Sequence, residues 1–179
     1  MMKRAVMDDA AALAALAIQM WTEHEPEELT EEFRELIRNE DAACFLAYID
    51  GRPIAFAQCQ LRHDYVEGTN SSPVGYLEGI FVTDKYRRKG CAAELVTACE
   101  KWAKEKGCTE FASDCELDNA DSLRFHLALG FEETNRIIVL GKRCRLAWPA
   151  PDRQDRFRRT ADISDNICKT KSRPTVSPF

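Results

Sequence analysis

A chain of 179 residues with 45% hydrophobic content is long enough to bury one core and too apolar to stay disordered. Its net charge of −5 is unevenly divided, −9 over residues 1–144 and +4 over residues 145–179. An acidic body disfavours nucleic acid and concentrates cationic ligands. The eight cysteines are scattered without a Cys-x-x-Cys pair and histidines number three, so neither a zinc site nor any other metal is expected. They read as reduced, mostly buried thiols of a cytoplasmic protein, and nothing in the composition suggests a membrane partner.

Lys3 to Val6 reads as a first strand, with Asp8 or Asp9 capping a helix that runs to about Met20. Lys3 and Arg4 before an Ala/Leu run imitate a secretion signal, but Asp8 and Asp9 interrupt it and no small-residue cleavage site precedes Trp21. Leu13, Leu16 and Met20 instead mark the buried stripe of an amphipathic helix. Pro26 suits the first turn of a second helix that buries Leu29, Phe33, Leu36 and Ile37. Cys44–Ile49 and Pro53–Asp64 flank Asp50-Gly51, the favoured two-residue hairpin turn. The loop from Val66 to Pro73 is polar, and Tyr65 and Glu67 overhang the next strand where a polar substrate could be gripped.

That next strand, Tyr76 to Val82, is apolar except for Glu78, with Gly79 beside it. A carboxylate inside a core-like strand is a conflict between local rules, and such conflicts collect at functional sites. Then come Arg87-Arg88-Lys89-Gly90-Cys91-Ala92, fitting Gln/Arg-x-x-Gly-x-Gly/Ala, and a helix with Leu95, Cys99 and Trp102 on one stripe, stopped by Gly107. The first amides of a helix lack intrahelical partners, and the dipole adds positive charge there. Gly90 and Ala92 keep side chains away, so this turn predicts phosphate binding. The Lys-Ser/Thr of a P-loop is missing, which excludes a nucleotide-binding module of that kind.

Thr109 to Asp114 reads as a strand that places a carboxylate at its C-terminal end, where ligands of open α/β sheets collect. Asp118 is expected to cap a helix over Asn119–Leu129, ended by Gly130, and Asn135–Arg143 reads as the last strand. Residues 145–179 lack sustained periodicity and read as a disordered or loosely packed tail behind a domain of residues 1–144.

The stretch from Gly75 to Lys106 resembles motif A of the Gcn5-related N-acetyltransferases, and His126-Leu127-Ala128-Leu129-Gly130-Phe131 resembles the family's next helix ending. Arg62-His63-Asp64-Tyr65-Val66, Ser71-Ser72-Pro73-Val74, Leu77 to Val82, Ala112-Ser113-Asp114 and Phe131-Glu132-Glu133-Thr134 look like the aminoglycoside 6'-N-acetyltransferases within that superfamily. The likeness implies a mixed, mostly antiparallel α/β sheet, splayed at the cofactor site, with helices on both faces. It also implies acetyl-CoA as co-substrate, an aminoglycoside as acceptor and a homodimer.

On that resemblance, backbone groups of Ile80, Phe81 and Val82 hold the pantetheine arm and acetyl carbonyl. Arg87, Arg88, Lys89, Gly90, Cys91 and Ala92 hold the pyrophosphate, and Asn119 contacts the cofactor. Trp21, His24, Tyr65, Glu78, Asp114 and Asn135 line the acceptor site, with Asn135 standing where related enzymes can carry Glu. Glu78 is the candidate general base or amine-orienting carboxylate. His126 occupies the position of the family's usual tyrosine, which can protonate the departing thiolate. Two rival readings are an acetyltransferase for another amine, such as a polyamine or protein lysine, and a non-catalytic acyl-CoA sensor.

Overall fold

The computed structural model describes residues 1–141, and its sheet is built outward from the Asp50-Gly51 hairpin. Both turn residues have positive φ, 50° and 75°, as a two-residue type I′ connection requires. The turn joins β2 (Ala42–Ile49) to β3 (Arg52–Arg62); β1 (Met2–Arg4) precedes them, and β4 (Val74–Val82) and β5 (Phe111–Ser113) follow. The strand order is β1-β2-β3-β4-β5, antiparallel except for the parallel β4–β5 pair. The sheet is therefore the expected mixed, mostly antiparallel one.

Strand alternation divides the side chains between two faces. On one, Cys44, Leu46 and Phe56 pack with Leu13 and Leu16 of α1 (Ala10–Ala17) and Leu29 and Phe33 of α2 (Pro26–Arg38). On the other, Ala43, Ala55, Cys59 and Leu77 pack with Leu95, Val96, Cys99 and Trp102 of α3 (Cys91–Glu105). Phe125 of α4 (Ala120–Ala128), Leu129 and Phe131 join this second cluster. Each fully buried Leu or Phe contributes roughly 1.5–3 kcal/mol, so the two clusters hold a helix layer on each face. The described cysteines are all free, and Cys44, Cys59, Cys99 and Cys108 are buried.

Four details differ from the sequence expectations. The first helix stops at Ala17, and residues 18–20 form a turn. Asp9 does not cap that helix with its side chain. Its Oδ2 accepts from Val6 N–H (2.9 Å) while Oδ1 accepts from Lys3 Nζ (2.8 Å) and the Tyr48 hydroxyl (3.0 Å). α4 is capped by Asn119, whose Oδ1 accepts from Ser122 N–H at 3.0 Å, rather than by Asp118. The described part of Asn135–Arg143, up to residue 141, forms no strand. Asn135 Oδ1 instead accepts from Arg136 N–H (2.8 Å), and Arg136 pairs with Glu133, so local side-chain bonds displace strand pairing there.

Met1–Ile137 form one unit and the residues from Ile138 onward another. The expected tail over residues 145–179 lies outside the described residues.

Candidate active site

The site begins where β4 and β5 part. Their parallel pairing covers three rungs and ends at Leu77–Ser113, after which no described strand pairs with that edge of β4. The neighbouring ladder is irregular at the same height. The β3–β4 register steps from Gln58–Gly79 to Cys59–Leu77 and leaves Glu78 without a partner. Such a bulge re-aims the side chain it carries. It also resets the alternation. Leu77 and Ile80 both pack in the α3 cluster, whereas Phe81 packs in the α1/α2 cluster. Glu78 is thus displaced toward Gln60 and Arg62 at the start of the gap.

Its carboxylate is firmly held. Oε1 accepts from Gln60 Nε2 (2.6 Å) and Arg62 Nε (3.0 Å), and Oε2 accepts from Arg62 Nη2 (2.8 Å). The Arg62 guanidinium also lies 3.4 Å from the centroid of the Tyr76 ring, and the Tyr76 hydroxyl donates to Asp114 Oδ1 at 2.8 Å. The two carboxylates anticipated at the acceptor site are therefore joined by one continuous chain, Glu78–Arg62–Tyr76–Asp114. Burial, reinforced by the hydrogen bond to Asp114, pushes the Tyr76 phenol well above its ordinary range. Burial works against the Arg62 charge, but the hydrogen bonds and field of Glu78 outweigh it and raise its pKa. Gln60, Arg62 and Tyr76 were missed in the sequence. An Arg two residues beyond Gln60 on a strand shares its face, and that spacing was the available signal.

Trp21 stands over the same strand, its indole packed against Phe33 and Phe56. With His24, Glu32, Phe33, Leu36 and Gln58 it lines a cavity of about 170 Å³ between α2 and β3. Tyr65 and Asn135 meet elsewhere, on Glu67. The Tyr65 hydroxyl donates to Oε2 (2.7 Å) and Asn135 Nδ2 donates to Oε1 (2.9 Å). A β-carbon on Gly68 would collide with Thr134 at 2.4 Å, so the loop of residues 66–73 and the segment of residues 131–137 are closely apposed.

On the other face, Gly90 precedes α3 in a left-handed conformation (φ 84°), with nothing within 4 Å of a built β-carbon. Bare amides at the start of a 15-residue helix, reached through open space, suit an anion. Arg87, Arg88 and Lys89 are all exposed, but Arg87 is engaged locally. Its Nε donates to the Val82 carbonyl (3.0 Å) and Nη2 pairs with Asp84 (2.8 Å). Burial, with Glu94 adding to it, raises the Cys91 thiol, which therefore stays protonated.

His126 is buried at 9% exposure, between Phe125 and Phe131. Nδ1 is 2.8 Å from the Ser122 carbonyl and Nε2 is 3.0 Å from Ser113 Oγ, so both nitrogens are engaged inside the fold. Ser113 Oγ is in turn 3.1 Å from the Leu77 carbonyl. Asn119 spends its Oδ1 on the α4 cap, which leaves its Nδ2 as the group it can offer a ligand. Among the described residues no cluster of His, Cys, Asp and Glu could hold a metal ion.

A parted sheet with an open helix start on one face and linked carboxylates on the other is an arrangement that suits an acyl-CoA-dependent transferase. Residues 10–131 match the Acetyltransferase (GNAT) family, and the chain belongs to it. Its relatives include the aminoglycoside N(6')-acetyltransferase type 1 of Serratia marcescens, 43% identical over 136 residues (75% of this chain, 93% of that protein). The protein of that name from Acinetobacter baumannii is 47% identical over 129 residues (72% of this chain, 88% of that protein). Among solved structures, AAC(6')-Iy in complex with the bisubstrate analogue CoA-S-monomethyl-acetylneamine superimposes with a TM-score of 0.78 at 40% identity. That match covers 80% of this chain and 98% of that one.

Proposed function

We propose that this protein is an acetyl-CoA-dependent aminoglycoside 6'-N-acetyltransferase that confers resistance by direct acetyl transfer in a ternary complex. The observation that carries the reading is the gap beyond Leu77–Ser113. Side chains of α3, the helix that the Gly90 turn begins, and of α4 pack with Leu77 on one face, and the carboxylate chain lies beside the gap. The relatives' names and the bisubstrate complex of AAC(6')-Iy support the same pairing of substrates. The β4 backbone at Ile80–Val82 receives the pantetheine arm, and Arg88, Lys89 and the amides from Gly90 to Ala92 receive the pyrophosphate, with Arg87 bracing the turn. Asn119 assists through Nδ2.

Trp21, His24, Tyr65, Asp114 and Asn135 contact the drug, with Glu67 gathered between Tyr65 and Asn135. Glu78 orients the attacking amine. A carboxylate already accepting three bonds retains acceptor capacity for an ammonium or amine but is poorly placed to carry a proton away. A protonated Cys91 thiol favours direct attack over an acetyl-cysteine intermediate. No described helix is long and apolar enough to cross a membrane. The buried free thiols support a cytoplasmic location, and a homodimer is the expected assembly.

Acetyl-CoA consumption with kanamycin, paromomycin and spermidine tests the reading. Kanamycin, with a 6'-amine, should turn over, whereas paromomycin, with a 6'-hydroxyl, should not. Equal turnover of both, or preference for spermidine, would replace this assignment with another amine acetyltransferase.

A further inference from the structure

Ser113 has one hydroxyl proton and three acceptors in reach, the most distant being the Asp114 carbonyl at 3.5 Å. Its Oγ lies 3.0 Å from His126 Nε2 and 3.1 Å from the Leu77 carbonyl. The His126 ring is fixed from the other end, because Nδ1 is 2.8 Å from the Ser122 carbonyl, which only accepts, and a longer 3.4 Å from the Ser122 hydroxyl. Nδ1 therefore carries a hydrogen. Two arrangements remain. With a neutral ring, Ser113 donates to Nε2 and gives nothing to Leu77. With an imidazolium, Nε2–H donates to Oγ and the hydroxyl proton turns to the Leu77 carbonyl. The direction of the Ser113 hydroxyl thus reports the charge of a buried ring.

The position of this pair gives the coupling a use. Leu77–Ser113 is the last rung before β4 and β5 part, and Ser113 shares a face with Leu77, the face of α3 and α4. His126 sits behind it, held edge-on by Phe125 and Phe131 and only 9% exposed, so it meets the gap through Ser113.

We propose that Ser113 is the catalytic proton donor to the departing coenzyme A thiolate and that His126 is a positioning residue that resupplies it. The proposal rests on the acetyltransferase reading above and adds the group that touches the leaving atom. As the tetrahedral intermediate collapses, the carbon–sulfur bond breaks and its electron pair goes to sulfur. The Ser113 hydroxyl swings from the Leu77 carbonyl and gives its proton to that sulfur. Oγ takes the Nε2 proton, and the ring is left neutral with Nδ1–H still on Ser122. The next proton comes from water, matching the one the acceptor ammonium releases when it is acetylated.

The test compares Ser113→Thr with Ser113→Val, side chains of similar shape that differ in the hydroxyl and suit a strand equally. On whichever amine the wild type acetylates, Ser113→Val should lower kcat about 10- to 100-fold with both KM values little changed, and Ser113→Thr should recover most of that loss. His126→Phe should lower kcat similarly, and the His126→Phe/Ser113→Val double variant no further than either alone. Nitrogen-15 spectra of the ring should move at Nε2 in Ser113→Val but not in Ser113→Thr. Valine and threonine variants with equal kcat, additive losses in the double variant, or an Nε2 signal indifferent to Ser113→Val would each overturn the relay. Failure of the drug assignment shows separately, as wild type that leaves kanamycin unmodified while acetylating another amine.

Discussion

The indole of Trp21 occupies the space that a side chain at position 79 would fill. A β-carbon built on Gly79 lies 3.2 Å from Trp21 Cζ2 and 3.3 Å from Cη2. Gly79 follows the bulged Glu78, so the ring and the carboxylate are set side by side on the face of α1 and α2. Gly79→Ala should push the ring back by a few tenths of an ångström and raise the KM for the drug several-fold, while acetyl-CoA binding stays at the wild-type level. Steady-state kinetics with each substrate varied in turn checks this. An unchanged drug KM would detach Trp21 from the acceptor site.

Arg62 should be needed as a fork and not only as a charge. It grips Glu78 through two nitrogens and stacks on Tyr76, geometry that an ammonium cannot reproduce. Arg62→Lys is expected to lower kcat/KM for the drug at least tenfold, close to the loss in Arg62→Met, with a melting temperature near that of the wild type. Full activity in the lysine variant would show that charge alone suffices.

Gly90→Val should abolish the stabilisation that acetyl-CoA gives. At a hundredfold excess over Kd the ligand adds roughly 2.7 kcal/mol to the wild type. The valine would strain a φ of 84° and fill the open approach to the α3 amides. The comparison is made between each protein with and without ligand, which separates lost binding from the lower melting temperature that the strain itself causes. A thermal shift equal to that of the wild type would remove the turn from the cofactor site.

Asp9 should link folding to acid. Burial disfavours its charge, but Lys3, the Val6 amide and the Tyr48 hydroxyl outweigh that, and its pKa is lowered below the ordinary carboxylate value. A depressed folded-state pKa gives stability that is present above the unfolded pKa, about 3.9, and is lost as pH falls through the folded value. Asp9→Asn should therefore lower stability at pH 7 by about 1–3 kcal/mol, the cost of leaving buried partners poorly satisfied. The gap between variant and wild type should close below about pH 4. Urea denaturation at pH 7, 5 and 3 measures it.

The strands and helices up to Phe131 were legible because periodicity and punctuation agreed, as at Asp50-Gly51 and Gly107. Glu78 could be singled out because one charge stood in an apolar strand. Its restraint by Arg62 could not, because the bulge that turns Glu78 toward β3 is a property of strand register, which no local pattern encodes. His126 was noticed from its place before Leu-Gly-Phe, but the serine behind which it sits is on another element, 13 residues earlier. The strand expected from Asn135 failed for a local reason. Asn135 and Glu133 offer hydrogen bonds to Arg136 that compete with any ladder.

The bulge at Glu78 also limits how this protein can vary. Removing Glu78 would restore simple alternation and leave Leu77, Ile80 and Val82 on the α3 face and Phe81 toward α1 and α2, so the core would be kept and the one carboxylate that the bulge carries would be lost. A change of length there would remove the carboxylate that Arg62 holds or stagger the ladder further, and not merely adjust the pocket. The loop of residues 66–73 and the segment of residues 131–137 carry no such register. New drug preferences should therefore arise by changes of length and residue in those two stretches, leaving the central strand untouched.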